Sequence, residues 1–146
     1  NISSAYLVRD KFSNSYVLES DLYLYNQDLI RKYEYHSNFL GFKADRTDDW
    51  CLETKNGIIT KEKVGGLDCY QMCGISYYDK ETGKQMEKDI KEVFMSPGGK
   101  ERYWEQVMLD VRKNNYKIYL RECKKEDIIE IDTFNELKAI DKTYDV

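Results

Sequence analysis

The chain has 146 residues, of which 41% are hydrophobic, and this size suits one globular domain, residues 1–146, with its own core. Acids outnumber bases by 27 to 23, so the formal net charge of -4 argues against a nucleic-acid partner. Apolar runs are too short for a spanning helix or a secretory signal, and we expect a cytoplasmic protein without a membrane partner.

The first predicted elements are a helix over residues 4–12 and a short apolar strand that starts at Tyr16 and ends in the acids Glu19 and Asp21. Asn26 is a suitable cap for a short helix that ends near residue 35. A helix followed by a strand is the order of an α/β layer.

The middle of the chain has the sequence pattern of β-strands. The segments NFLGFKA and DWCLET lead to Lys55-Asn56-Gly57, which predicts a hairpin turn into GIIT. Gly65-Gly66 predicts a break before a long strand that closes at GISYYD.

Two amphipathic helices should cover this sheet. Asp79 is a suitable N-cap for the first, in which Met86, Ile90 and Val93 share one face. The breaker at residues 96–99 precedes the second, which we expect to start near residue 103 and to end near residues 114 and 115.

The chain closes with the strands YKIYLREC and DIIEID and a last helix. Thr133 and Glu136 have the spacing of a capping box, and the apolar residues of the helix, expected to be buried, are Phe134, Leu137 and Ile140. The whole pattern predicts a mixed α/β fold.

Cysteine and histidine spacing does not indicate a zinc site. Cys51, Cys69, Cys73 and Cys123 lack a C-x-x-C pair, and packing as reduced, small hydrophobic side chains is the expected role of each. His36 lies in a polar stretch, and we assign it no role.

Asp21 and Asp132 are the candidate metal ligands, because each closes a short apolar strand. If the two strands are neighbours, their carboxylates converge, and one or two acids are what Mg²⁺ needs when phosphates and waters complete its shell. The alternatives are that Asp21 starts a turn and that Asp132 is an exposed acid before the Thr133 cap.

Six stretches in order give the chain a wider resemblance: NISSAYLV, NSYVLESDLYL, TDDWCL, GISYYD, RYWE and IIEIDTFNEL. Together they resemble the carboxyl-terminal part of the bacterial choline-phosphate cytidylyltransferases, within the sugar-phosphate nucleotidyltransferases. The resemblance implies a Rossmann-like nucleotidyltransferase fold of three layers, a mixed sheet with flanking helices that lacks the amino-terminal strands.

The resemblance also implies an activity and its residues. It implies Mg²⁺-dependent transfer of CMP from CTP to phosphocholine with release of pyrophosphate, with Asp21 and Asp132 as metal ligands. Asn1 and Ser4 fall where the family contacts the nucleotide.

The acceptor side carries residues suited to a cationic head group. Trp50 with Asp49, and Tyr103 with Glu101, resemble the choline-binding positions, and aromatic faces beside carboxylates are what a quaternary ammonium needs. Either pair could instead be structural, since Tyr103 belongs to a predicted amphipathic helix.

The glycine-rich loop of the family, G-x-G-x-R, is absent from the sequence. We therefore expect this chain to be the acceptor- and metal-binding part of a longer enzyme, inactive alone, with an exposed strand edge that could pair in a homodimer. Two alternatives stay open: a sugar- or polyol-phosphate nucleotidyltransferase, and a non-enzymatic interaction module.

Overall fold

A computed structural model describes residues 2–144, which form a mixed α/β fold. The helices are α1 (Ile2–Leu7), α2 (Lys80–Met95) and α3 (Phe134–Ile140). The strands are β1 (Ser15–Leu18), β2 (Leu22–Leu24), β3 (Asn38–Lys55), β4 (Ile58–Tyr78), β5 (Tyr119–Glu122) and β6 (Ile128–Glu130).

Four of these strands form a mixed sheet in the order β1-β4-β3-β5. β5 runs parallel to β3, whereas β4 is antiparallel to both β1 and β3. β2 and β6 pair antiparallel in a separate, two-stranded sheet. The mixed sheet with flanking helices confirms the expected fold class.

The long β3–β4 hairpin turns where the sequence predicts, at Asn56 (φ 54°) and Gly57 (φ 76°). The predicted break at Gly65-Gly66 is wrong, because β4 continues through it. Thr47 pairs with Gly66 and Trp50 with Val64, and the register shifts between these two pairs. This shift is a β-bulge, which lets β4 continue through the two glycines and is expected to bend the β3–β4 hairpin.

The sheet separates two hydrophobic cores. Neighbouring residues Phe39 and Leu40 point to opposite faces, as in any strand, and each belongs to a different core. The larger core packs the sheet against α1 and α2 and includes Ile2, Phe12, Phe39, Leu52, Tyr78, Met86, Ile90 and Val107. The smaller core, on the other face, consists of Leu29, Leu40, Cys73, Ile75 and Cys123.

The caps of α2 and α3 form as predicted. Asp79 accepts a hydrogen bond from the Thr82 amide at 2.9 Å, and Thr133 and Glu136 complete a capping box. The burial predicted for α3 is wrong for Phe134, which is 55% exposed and packs edge-on against Tyr144. Leu137 and Ile140 are only half-buried.

Two predicted helices are shorter than expected. The first ends at Leu7 and continues as a 3₁₀ turn at Arg9–Lys11, and the segment after Asn26 forms only a 3₁₀ turn, Gln27–Leu29. In the second case Ile30 is already extended, although the Asn26 side chain caps the turn as predicted.

The helix predicted from residue 103 to about residue 115 is replaced by an irregular segment with a π-helical turn at Val107–Val111 and a 3₁₀ turn at Lys113–Asn115. Trp104 explains the difference, since its ring packs in the larger core against Phe12, Phe39 and Tyr78 at centroid distances of 5.7, 6.4 and 6.0 Å. The local sequence favours a helix only weakly, because aromatic and β-branched residues are poor helix formers. The tertiary contacts of Trp104 therefore outweigh this helix preference.

β1 is a half-buried edge strand rather than the buried strand predicted over residues 16–21. It ends at Leu18, which is 42% exposed, and among the described residues it pairs only with β4. An edge with one free side fits the expected exposed strand edge. Homodimer formation through it stays a prediction.

Glu62 on β4 is a buried acid whose two carboxylate oxygens have no hydrogen-bond partner within residues 2–144. Burial, with the charges of Glu105 and Asp110, raises the pKa of Glu62 to about 8 from 4.5. The folded protein therefore holds this proton more tightly than the unfolded chain, and the free energy of unfolding should fall as pH rises from about 4.5 to about 8.

Replacing Glu62 by Gln should remove this part of the pH dependence, at most about 5 kcal/mol across the window. Urea unfolding at several pH values measures it, with the exposed Glu126→Gln as the matched control that should keep the original slope. An unchanged slope in Glu62→Gln would show that Glu62 is ionised in the folded protein.

Candidate active site

A cleft of about 500 Å³ lies between three parts of the chain. They are the turn between β1 and β2, the β3–β4 hairpin, and the irregular segment before the π-helical turn. Carboxylates and aromatic rings dominate its lining, which consists of Ser4, Glu19, Ser20, Asp21, Asp49, Trp50, Met72, Gly74, Tyr103, Trp104, Glu105 and Glu130. Predicted metal-side, acceptor-side and nucleotide-side residues are all represented, although they lie up to about a hundred residues apart in sequence.

Glu19 enters the cleft because Gly74 on β4 leaves room for it. The Glu19 amide donates to the Gly74 carbonyl at 3.0 Å, and a Cβ on Gly74 would lie 2.8 Å from the Glu19 carboxyl carbon and overlap a carboxylate oxygen. Gly74 also has φ 62°, which favours glycine.

Gly74→Ala should lower the free energy of unfolding by roughly 2–4 kcal/mol, through left-handed strain and the clash with Glu19. Gly57→Ala is the matched control, since Gly57 has φ 76° but nothing within 4 Å of its would-be Cβ. It should cost roughly 1–2 kcal/mol from strain alone. Equal losses in urea unfolding would show that the space at Gly74 is not needed.

Asp21 meets Glu130 through the pairing of β2 with β6. Leu22 lies opposite Glu130, and the Asp21 carbonyl accepts a hydrogen bond from the Ile131 amide at 2.9 Å. Glu19, Asp21 and Glu130, called here the acid cluster, each offer a carboxylate oxygen within 4.8 Å of the others.

The acid cluster fits a hard divalent cation. Mg²⁺ binds carboxylate oxygens at about 2.1 Å, so opposite ligands lie roughly 4 Å apart, and a small contraction of the cluster would give that spacing. All three side chains are exposed, so waters or a phosphate could complete the coordination shell.

Asp132 lies two residues beyond Glu130 and near the cluster, but outside it. Its side chain is exposed, its amide donates to the Glu136 carboxylate at 2.9 Å, and its charge contributes to raising the pKa of Glu130. The prediction that Asp21 closes a strand is wrong, because β1 ends at Leu18 and Asp21 lies in the turn directly before β2, as the turn alternative has it. Asp132 does follow a strand, β6, and the two acids approach through the antiparallel pairing of β2 with β6 rather than at one carboxyl edge.

The sequence reasoning missed Glu19 and Glu130 as members of the site. A signal was present, because Glu19-x-Asp21 and Glu130-x-Asp132 are the same spacing of acids at the ends of the two paired segments.

Burial and the crowding of acids raise the pKa values of two carboxyl groups in the cleft. Desolvation, with the charges of Asp132, Glu19, Asp21 and Asp49, raises the pKa of Glu130 to about 7. Desolvation also raises the pKa of Glu19, with smaller contributions from Glu105, Asp21 and Asp49. A cleft in which carboxylates repel one another favours a bound cation.

The aromatic side of the cleft brings together the predicted pair Trp50 and Tyr103. Their ring centroids are 5.6 Å apart with an interplanar angle of 68°, and Tyr103 is 49% exposed. Asp49 lines the cleft beside them, where its carboxylate accepts hydrogen bonds from the Trp50 amide at 2.7 Å and the Gln71 side chain at 3.3 Å.

Glu101 is not among the cleft-lining residues. It is exposed at the end of the 3₁₀ turn Gly99–Glu101, whereas Glu105, only 7% exposed, lines the cleft with a pKa raised by burial. No local pattern singled out Glu105, because it faces the cleft only once Trp104 is anchored in the core. Ser4 lines the cleft from α1, and Asn1 lies outside the described residues.

Comparison with known proteins found cytidylyltransferases over nearly the whole chain. The choline-phosphate cytidylyltransferase of Streptococcus pneumoniae is 25% identical in an alignment 147 residues long, which covers 97% of this chain and 62% of the relative. The 2-aminoethylphosphonate cytidylyltransferase of Lancefieldella rimae is 26% identical in an alignment 152 residues long, which covers 99% of this chain and 60% of the relative. The chain thus spans about three fifths of the length of these relatives. No family model matches the chain.

Solved structures give the same fold. The CTP:phosphocholine cytidylyltransferase of Streptococcus pneumoniae superposes with a TM-score of 0.83 at 23% identity, over 98% of this chain and 63% of that one. A nucleoside-diphosphate-sugar pyrophosphorylase of Vibrio cholerae gives 0.58 at 13% identity, over 85% and 54%. The matches confirm the Rossmann-like fold and the resemblance to the bacterial choline-phosphate cytidylyltransferases.

No helix within residues 2–144 has both the length and the apolar composition needed to cross a membrane.

Proposed function

We propose that this chain is the acceptor- and metal-binding part of a cytidylyltransferase whose acceptor joins a cationic head group to a phosphate or phosphonate, with phosphocholine the favoured acceptor. One observation carries the proposal: a single cleft combines the acid cluster with the Trp50–Tyr103 pair. The names of the cytidylyltransferase relatives support the same acceptor chemistry.

The two sides of the cleft suit the two ends of such an acceptor. A quaternary ammonium has no hydrogen-bond donor, so the faces of Trp50 and Tyr103, with the carboxylates of Asp49 and Glu105, would hold it by cation–π and charge attraction. The phosphate end would then point toward the acid cluster.

The acid cluster would hold Mg²⁺, which as a bound ion would neutralise the phosphate charges that otherwise repel these carboxylates. Asp21 is the residue we propose as the central ligand, since it belongs to the cluster and was also indicated by the sequence. Asp132, nearby on the same paired segment, would act on the ion through its charge or through a water.

The reaction we propose joins an acceptor phosphate oxygen to the α-phosphorus of CTP while the bond from that phosphorus to pyrophosphate breaks. No covalent intermediate with the protein is needed. The contribution of this chain is to fix the acceptor in line with the nucleotide and to exclude other orientations, which is where positioning lowers a barrier.

The relatives divide between a quaternary and a primary ammonium acceptor, and the cleft has features of both. The aromatic pair favours the quaternary head group, whereas Asp49 and Glu105 could accept hydrogen bonds from a primary one. We favour phosphocholine because both rings border the cleft.

Calorimetric titration of the chain with Mg²⁺ present tests the proposal through three ligands: phosphocholine, 2-aminoethylphosphonate and glycerol 3-phosphate. Phosphocholine should bind most tightly and glycerol 3-phosphate most weakly. Preference for glycerol 3-phosphate would favour a polyol-phosphate nucleotidyltransferase instead. Binding of none of the three would favour an interaction module.

A further inference from the structure

Two thiols form a buried pair on the face of the sheet opposite α1 and α2. Cys73 on β4 and Cys123, directly after β5, lie with their Sγ atoms 3.3 Å apart, in the core that also contains Leu29, Leu40 and Ile75. They are 50 residues apart in sequence. The Cys123 amide donates to the Gly41 carbonyl of β3, so the sheet itself holds this pairing in register.

A small cavity gives one of these thiols a route to solvent. It measures about 240 Å³ and is lined by Cys73 together with Leu22, Phe42, Gln71, Met72, Lys125, Ile128, Ile129 and Glu130. Cys51 and Cys69, 0% and 2% exposed, do not line this cavity. A small oxidant therefore has a path to Cys73, and this path does not reach Cys51 or Cys69.

The hydrogen bond between the two sulfurs can stabilise a thiolate on one of them, because either sulfur can be the donor. The nearby Arg121 charge favours the thiolate of Cys123. A thiolate is the reactive form toward peroxides.

We propose that Cys73 and Cys123 are a redox modification site, at which a hydroperoxide converts the thiol pair to a disulfide. The thiolate of the pair attacks one peroxide oxygen and breaks the O–O bond, which gives a sulfenic acid and, from hydrogen peroxide, one water once the leaving hydroxide is protonated. The other sulfur of the pair then attacks the sulfenic sulfur, the S–S bond forms and a second water leaves. The two thiols lose two electrons in total, which the peroxide accepts.

The pair is connected to the cleft through β4. Cys73 directly precedes Gly74, whose carbonyl accepts the Glu19 amide, and Met72 and Glu130 line both the cavity and the cleft. Drawing Cys73 toward Cys123 to the length of an S–S bond moves the backbone beside Glu19. The disulfide should therefore weaken divalent-cation binding, an effect that rests on the proposed function.

The decisive test is a mass-spectrometric map of the native protein, reduced, treated with hydrogen peroxide and then alkylated with N-ethylmaleimide. Digestion with trypsin and chymotrypsin separates Cys69 from Cys73 by cleavage after Tyr70. We expect one peroxide-dependent cross-link, between Cys73 and Cys123, reversed by dithiothreitol. Cross-linking of Cys51 with Cys69 instead, or stable oxidation of Cys123 without a cross-link, would overturn the proposal.

Two variants complete the test. Cys123→Ala should abolish the cross-link, while Cys69→Ala, a matched change of another buried thiol, should leave it intact. The affinity for Mn²⁺, measured before and after oxidation, is a separate readout. If the cross-link forms and the Mn²⁺ affinity does not change, the redox site is supported and only its connection to the cleft is refuted.

Discussion

Asp21→Asn should lower the affinity of the chain for Mn²⁺, used as a visible substitute for Mg²⁺, by at least roughly tenfold, or about 1.4 kcal/mol. The substitution keeps the shape of the side chain but removes a charged ligand from the acid cluster, in which the oxygens of Glu19, Asp21 and Glu130 lie within 4.8 Å. Electron paramagnetic resonance of free Mn²⁺ during a titration measures the change.

The control is Asp45→Asn, an exposed acid on β3 that is not a cleft residue. It has the same change in net charge and should leave the affinity within about twofold, since exposed charges at a distance are screened. Asp21→Asn should also leave the fold at least as stable, because it relieves repulsion among acids. Equal effects of the two variants on Mn²⁺ affinity would contradict a site at Asp21.

Trp50→Ala should raise the dissociation constant for phosphocholine by roughly tenfold, which corresponds to about 1–2 kcal/mol of lost cation–π attraction in a partly desolvated cleft. Trp50 and Tyr103 lie 5.6 Å apart at the aromatic side, so removing one ring leaves the head group only one aromatic face. Calorimetric titration measures the loss.

A neutral isostere of the ligand separates charge from shape. In 3,3-dimethylbutyl phosphate a carbon replaces the quaternary nitrogen, so this compound should bind more weakly than phosphocholine and lose less affinity with Trp50→Ala. Tyr33→Ala, which removes a 77% exposed ring outside the cleft, is the control for a general effect of aromatic loss. Equal losses for the charged and neutral ligands would argue for simple hydrophobic contact.

Sequence reasoning predicted well where the determining chemistry is local. The Asn56-Gly57 turn, the Asp79 cap and the Thr133–Glu136 capping box depend on residues within a few positions of each other, and all three form. The buried face of α2 was also predicted, because a helix of 16 residues repeats its pattern often enough to be recognised.

Long-range packing decided what the sequence could not predict. The side chain of Trp104 enters the larger core, and this turns an expected helix into an irregular segment and brings Glu105 rather than Glu101 to the cleft. Glu130 joins Asp21 because β6 pairs antiparallel with β2, a register that no local pattern determines.

Phosphorus NMR relaxation of phosphocholine in the presence of the chain and substoichiometric Mn²⁺ tests the central claim most directly, that one cleft holds a cation beside the acceptor phosphate. We predict that bound Mn²⁺ enhances the relaxation of the phosphorus more strongly than that of the N-methyl protons, and that Asp21→Asn removes the enhancement. Binding of both ligands to the wild-type chain without any enhancement would place them in separate sites and contradict the account.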